Sequence, residues 1–197
     1  MTPGGRRLAL TAHVVSSVGW LGSVAGFLVL SIAGVTSSNA TTVRSAFIAM
    51  NLLGQFMIVP LSLLALLTGL IQALGTHWGL VKHYWVLTKF ALTIAATTLL
   101  LMHQFTAVAE AAKRASVATD VGPLGAQLVF DAAAAIAVLL TTTTLSVFKP
   151  WGLTGFGSGR RAGEMPLGLR IFLTTVGAIV AGILIVHAAG GGMRGHP

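Results

Sequence analysis

The amino-acid sequence predicts an all-α protein, a polytopic transmembrane helical bundle of about five spans, and three observations carry that prediction. Of 197 residues, 55% are hydrophobic and only 8% are charged, whereas soluble domains carry roughly 25% charged residues. Mean hydropathy is +0.89. The apolar residues gather in runs long enough for the roughly 30 Å hydrocarbon core of a bilayer, and turn-rich connectors separate the runs. Too little polar surface exists to clothe a water-soluble globule. In lipid the same composition is favourable, because a helix satisfies its own backbone N–H and C=O groups.

The five predicted spans cover 8–33, 46–74, 84–102, 128–148 and 169–189. Gly34 to Asn39, Gly75 to Gly79, Thr119 to Gly125 and the Gly-rich stretch from Lys149 through Pro166 read as connectors. None is long enough for a second domain, so 1–197 reads as one integral membrane domain. The first apolar run follows Arg6 and Arg7 but is much longer than the 7 to 15 residues of a signal-peptide core, and it reads as a span. Within it, Gly22 and Gly26 stand at GxxxG spacing near Gly19, while His13, Ser16, Ser17 and Trp20 project from another side. Both sides call for protein neighbours, which makes this helix the expected centre of the bundle. Pro60 is expected to bend the second span.

The formal charge of +8 does not point to nucleic acid, because Lys and Arg fall in the gaps between apolar segments rather than in one patch. Topology accounts for them. Arg6, Arg7, Lys82, Lys149, Arg160, Arg161 and Arg170 fall on one side, and Arg44, Lys113, Arg114 and Arg194 on the other. Seven against four predicts a multi-pass protein of the bacterial cytoplasmic membrane with its N-terminus inside and its C-terminus outside. Trp78, Tyr84, Trp85 and Trp151 then form an aromatic belt at the inner interface. With no cysteine, disulfides, thiolate metal sites and thiol nucleophiles are excluded.

Ionisable residues inside a span cost about 3 kcal/mol or more and raise a functional question. Five fall within or at the ends of the spans: His13, Lys89, His103, Asp131 and His187. The topology sorts them into an inner layer of His13, His83 and Lys89, and an outer layer of His103, Asp131 and His187. Lys89 and His103 are fourteen residues apart, so one face of the third helix serves both layers across about 21 Å.

Histidines at two depths suit a b-type cytochrome, in which imidazoles from different helices clamp a haem iron. The candidate cofactor-binding residues are therefore His13 with His83 and His103 with His187, and the leading expectation is haem b and electron transfer. Several of these histidines also stand where ordinary interfacial residues stand. Lys89 reads as a side chain snorkelling to the headgroups. Asp131 becomes a helix-dipole partner if the fourth helix begins a few residues later than drawn. A different class of reading is copper or small-solute transport, with His103, Asp131 and His187 as metal ligands and Met50, Met57 and Met102 as a soft stripe. The bland reading of that stripe is core packing. Asn51 and Gln55 suit interhelical hydrogen bonding. A third possibility is a structural subunit, a homo-oligomer or the partner of a membrane complex, packed through small-residue faces of the first and fifth spans. No P-loop, G-x-S-x-G, HExxH or close carboxylate pair marks a hydrolase or phosphotransferase. An enzyme of this composition would be a membrane oxidoreductase.

Several segments carry a resemblance: His13-Val14-Val15-Ser16-Ser17-Val18-Gly19-Trp20-Leu21-Gly22, Trp78-Gly79-Leu80, His83-Tyr84-Trp85-Val86-Leu87-Thr88-Lys89 and Lys149-Pro150-Trp151-Gly152. They resemble uncharacterised actinobacterial integral membrane proteins over most of the chain. More distantly, His followed by Trp-x-Gly, then Trp, Lys and a later His, is similar to copper-resistance-D-type and HemJ-type membrane proteins. That resemblance touches His13, Trp20, Gly22, Trp85, Lys89 and His103. It implies a helical bundle with haem b and protoporphyrinogen oxidation, or copper passage. The remaining HemJ-type polar residues have no match in this sequence.

Overall fold

The computed structural model describes residues 2–75, 80, 82–117, 121–149, 152–153 and 174. The fifth predicted span with His187, Thr174 apart, lies outside them, as do His77, Trp78, Trp151 and His196. Among the described residues, four helices are long and apolar enough to cross a membrane: Pro3–Thr36, Ala40–Gly75, Tyr84–Val117 and Pro123–Phe148. Among the described residues there is no strand, only an isolated antiparallel bridge between His83 and Leu153. The molecule is thus an all-α helical bundle of the polytopic kind.

The first span is α1 (Pro3–Thr36), opened by Thr2, whose side chain accepts from the Gly5 N–H, with Pro3 in the first turn where its missing N–H costs nothing. The chain reverses over Ser37 to Asn39. Asn39 then caps α2 (Ala40–Leu53), its Oδ1 accepting from the N–H groups of Thr41 and Thr42. The second span continues without a break through a π turn, Gly54–Ile58, into α3 (Val59–Gly75). The expected bend at Pro60 has its counterpart here. Proline cannot donate to the carbonyl four residues back, and the backbone just before it is already wound one residue wider, with the Val59 N–H bonded to the Gly54 carbonyl.

The third span runs as α4 (Tyr84–His103), a second π turn at Gln104–Val108, and α5 (Ala109–Val117). It is longer than the predicted 84–102. The exposed pair Arg114–Glu110, with Arg114 Nε 2.8 Å from the carboxylate, marks where this rod becomes polar. His103 therefore stands about 10 Å short of that polar end rather than at the end itself. The fourth span, α6 (Pro123–Phe148), begins five residues before the predicted 128 and closes on Lys149 in the left-handed conformation. Asp131 is consequently more than two turns inside its helix. The helix-dipole explanation for it is removed.

Helix α1 is central, as its two demanding faces predict, packing against α2, α3 and α6. The core beside it contains Trp20, Val24, Phe27, Val43, Phe47 and Met50. The close approaches are not at the predicted GxxxG pair. A side chain at Gly22 would meet nothing within 4 Å. The tight positions are Gly34, where a Cβ would lie 2.8 Å from the Phe47 ring, Gly125, where it would lie 2.5 Å from Val35, and Gly54, where it would overlap the Gln104 carboxamide. Gly54→Ala is expected to lower thermal stability in detergent by about 1–3 kcal/mol, as overpacking does. Gly22→Ala is expected to leave it unchanged, and a loss at Gly22 matching that at Gly54 would contradict this packing.

Candidate functional site

Polar side chains in the bundle interior collect at two levels, one toward the end bearing Arg6 and Arg7 and one toward the opposite end. At the Arg6 end the imidazole of His13 crosses from α1 to α3. Its Nδ1 lies 3.1 Å from the Ala65 carbonyl oxygen and 3.1 Å from the Thr68 hydroxyl. Gly69 gives the ring its room, since a Cβ there would come within 3.1 Å of Cε1. A carbonyl only accepts, so Nδ1 carries the hydrogen and Nε2 presents its lone pair. Lys89 of α4 supplies the facing group, with Nζ 3.4 Å from that Nε2. The lysine expected to snorkel to the headgroups instead turns inward and joins the third span to the first and second. Gln72 adds a further tie, donating to the Ala9 carbonyl at 3.3 Å.

His83 takes no part in this cluster. It stands just outside α4, joined to Leu153 by the backbone bridge, its ring 6.3 Å from that of Trp85.

At the far end His103 of α4 meets Asp131 of α6, Nδ1 to Oδ2 2.8 Å, with side chains 9% and 21% exposed. The two residues the sequence placed at one depth are brought into direct contact. The neighbouring Gln104 is also buried, at 1% exposure, and its Nε2 donates to the carbonyl of Asn51 at 3.3 Å and to its Oδ1 at 3.2 Å. Gln55 donates to the same Oδ1 at 3.2 Å. Asn51 therefore acts as expected, in hydrogen bonds from another helix, whereas the Gln55 bond stays within its own span, one turn along. Gln104 was not anticipated, because the predicted span stopped two residues before it. The π turn begins at Gln104, and His103 and Gln104 are both buried.

Beside the His103–Asp131 pair is a cavity of about 110 Å³ bounded by α1, α4 and α6. Trp20, Phe27 and Leu128 line it with His103, Gln104 and Asp131. Its surface is almost wholly apolar. The indole Nε1 of Trp20, a residue only 3% exposed, has no hydrogen-bond partner.

These contacts bear on the groups the sequence suggested. His13 has one ring nitrogen on Ala65 and Thr68 and the other against the Lys89 ammonium, an unsuitable environment for an axial haem ligand. His103 is in a more favourable setting, since a carboxylate oxygen stands 2.8 Å from its Nδ1 as an ion-pair contact, without the geometry of a hydrogen bond. The cavity beside it is nevertheless smaller than the roughly 300–1,000 Å³ of ordinary cofactor and ligand pockets. The described residues thus bring one imidazole to the wall of this cavity. For copper, Met50 is fully buried while Met57 and Met102 are about half exposed, so the three form no common soft site. No group of three or more His, Asp or Glu is placed to hold a metal among the described residues.

The fold and these interior contacts define a polytopic helical-bundle membrane protein with protonatable pairs between its helices. Compared with family models, curated proteins and solved structures, the chain has no match.

A double-mutant cycle checks the far pair. Asp131→Asn and His103→Gln are each expected to cost about 1–3 kcal/mol in detergent unfolding, and the double variant less than the sum, with a coupling of about 1 kcal/mol or more. Additive losses would show that the contact contributes nothing.

Proposed function

We propose that the chain is a proton-coupled membrane transport protein. One observation carries this reading: a single spanning helix holds two protonatable pairs about 21 Å apart, Lys89 with His13 and His103 with Asp131, each linking it to a different helix. Ionisable groups kept inside a membrane bundle are costly, and chains of Asp, His and Lys are the material of proton relays. The orientation of His13 supports a relay. The ammonium of Lys89 can release a proton to Nε2, leaving a neutral amine and an imidazolium whose Nδ1–H already faces Ala65 and Thr68. At the other level the Asp131 carboxylate accepts a proton from the His103 imidazolium, leaving both groups neutral. Because each pair bridges two helices, its protonation changes the force holding those helices together, which couples proton movement to helix movement. In this reading the Arg6 end lies in the cytoplasm, which the excess of basic side chains on that side supports, and Lys89–His13 takes protons on the inside and His103–Asp131 on the outside.

The test is an imposed pH gradient across liposomes containing the purified protein, followed with a trapped pH-sensitive dye. Lys89→Met and His103→Gln are each expected to slow dissipation of the gradient by about tenfold or more. Rates equal to those of protein-free liposomes, or variants as fast as the parent protein, would refute the reading.

The haem b expectation keeps one observation in its favour, the Asp131 carboxylate on Nδ1 of His103. Bound there, haem would supply one-electron chemistry to a membrane electron carrier. A Soret band in protein purified with ample haem, lost on His103→Ala and kept on His13→Ala, is the result that reading requires.

A further inference from the structure

We infer that the cavity between α1, α4 and α6 is a binding site for a small neutral aromatic alcohol, a molecule of phenol size. Three features select this class. The volume, about 110 Å³, is of the same order as the roughly 150 Å³ of an apolar protein cavity that accepts benzene, which suits an occupant of single-ring size. The lining, with Val24, Phe27 and Leu128 prominent, is almost free of polar surface. Water needs two to four polar partners to remain in such a space, and an apolar molecule displaces it.

The third feature is the polar content that remains. Trp20 is 3% exposed and its indole N–H has no partner, an arrangement that leaves a desolvated donor uncompensated in this bundle. The Asp131 carboxylate lines the same cavity from α6. A hydroxyl has what both groups lack, an oxygen to accept from an indole N–H and a hydrogen to give to a carboxylate, whose buried Oδ2 makes no hydrogen bond among the described residues. A carbonyl meets only the first requirement and an amine cation meets only the second. The hydroxyl-bearing ring is also the kind of solute that reaches such a site from the lipid. A ligand there meets residues of all four described spans, Ile58 being the second span's contribution, and stands against the His103–Asp131 pair.

This inference does not depend on the transport reading, because binding is measured without a gradient. Full-length protein in detergent micelles is titrated with 4-fluorophenol and with fluorobenzene, and bound ligand is followed by fluorine NMR against empty micelles. Saturable binding of both is expected, with 4-fluorophenol bound about fivefold tighter, the factor that corresponds to one added hydrogen bond. Trp20→Phe is expected to keep fluorobenzene binding and to lose most of that preference. Ala135→Leu, which adds bulk at the cavity wall, is expected to exclude both ligands while the protein still unfolds cooperatively. Absence of saturable binding, a preference untouched by Trp20→Phe, or binding that survives Ala135→Leu would each overturn the assignment. Should Trp20→Phe fail to fold, the Ala135→Leu result alone decides.

Discussion

The absence of water from the hydrocarbon core is the constraint on which the rest of this structure depends. A polar side chain that cannot reach the headgroups must find its partner on its own helix or on a neighbour, and both solutions are used. Ser16, Ser23, Ser31, Ser62, Thr93 and Thr142 return their hydroxyls to carbonyls three or four residues earlier in their own helices. Longer or ionisable side chains cannot fold back so easily, and they join helices instead. His13 reaches α3, Lys89 reaches His13, Gln104 reaches Asn51 and His103 reaches Asp131. Since lipid tails are as apolar as leucine, these contacts and close packing, rather than hydrophobic burial, determine which helices adjoin.

Two π turns adapt the rods to that requirement. Both lie on the far half of the bundle, at Gly54–Ile58 and Gln104–Val108, and they meet: the Gln104 carboxamide packs on Gly54 and bonds to Asn51. A wider turn in each helix offsets one residue of register, so that polar groups otherwise on divergent faces point into the same interior. Gly54 is needed for contact and not for an unusual backbone angle, because its dihedral angles are those of an ordinary helix. The proline at 60 and the glycine at 54 thus belong to one local arrangement. Against it lies the buried Gln104, next to His103 beside the cavity.

Much of the architecture was legible because spans depend on one-dimensional quantities, apolar length and the placement of charge. Helix ends were less so. The third helix continues past Met102 because Gln104, Thr106 and Glu110 are all compatible with a helix, and the change from apolar to polar composition does not stop one. Asp131 likewise acquired its interior position only when the helix was seen to begin at Pro123. The depth of each ionisable residue followed from topology, which is why His103 and Asp131 could be placed in one layer. Their contact could not be read in advance, since it depends on the rotation of two helices about their axes.

Composition and spacing by themselves determined the solvent, the helical class, the central position of the first helix and the two levels of polar residues. Each follows from the period of the helix and the thickness of the bilayer, which are the same for every chain. Only the tertiary structure decided that Lys89 faces His13 rather than the headgroups, that Asp131 holds His103, that the close glycine is Gly54 and not Gly22, and that an apolar cavity lies beside Trp20. Those outcomes turn on shifts of a few ångströms and rotations of a fraction of a turn. Such shifts are governed by side chains far apart in sequence, and no segment read alone contains them.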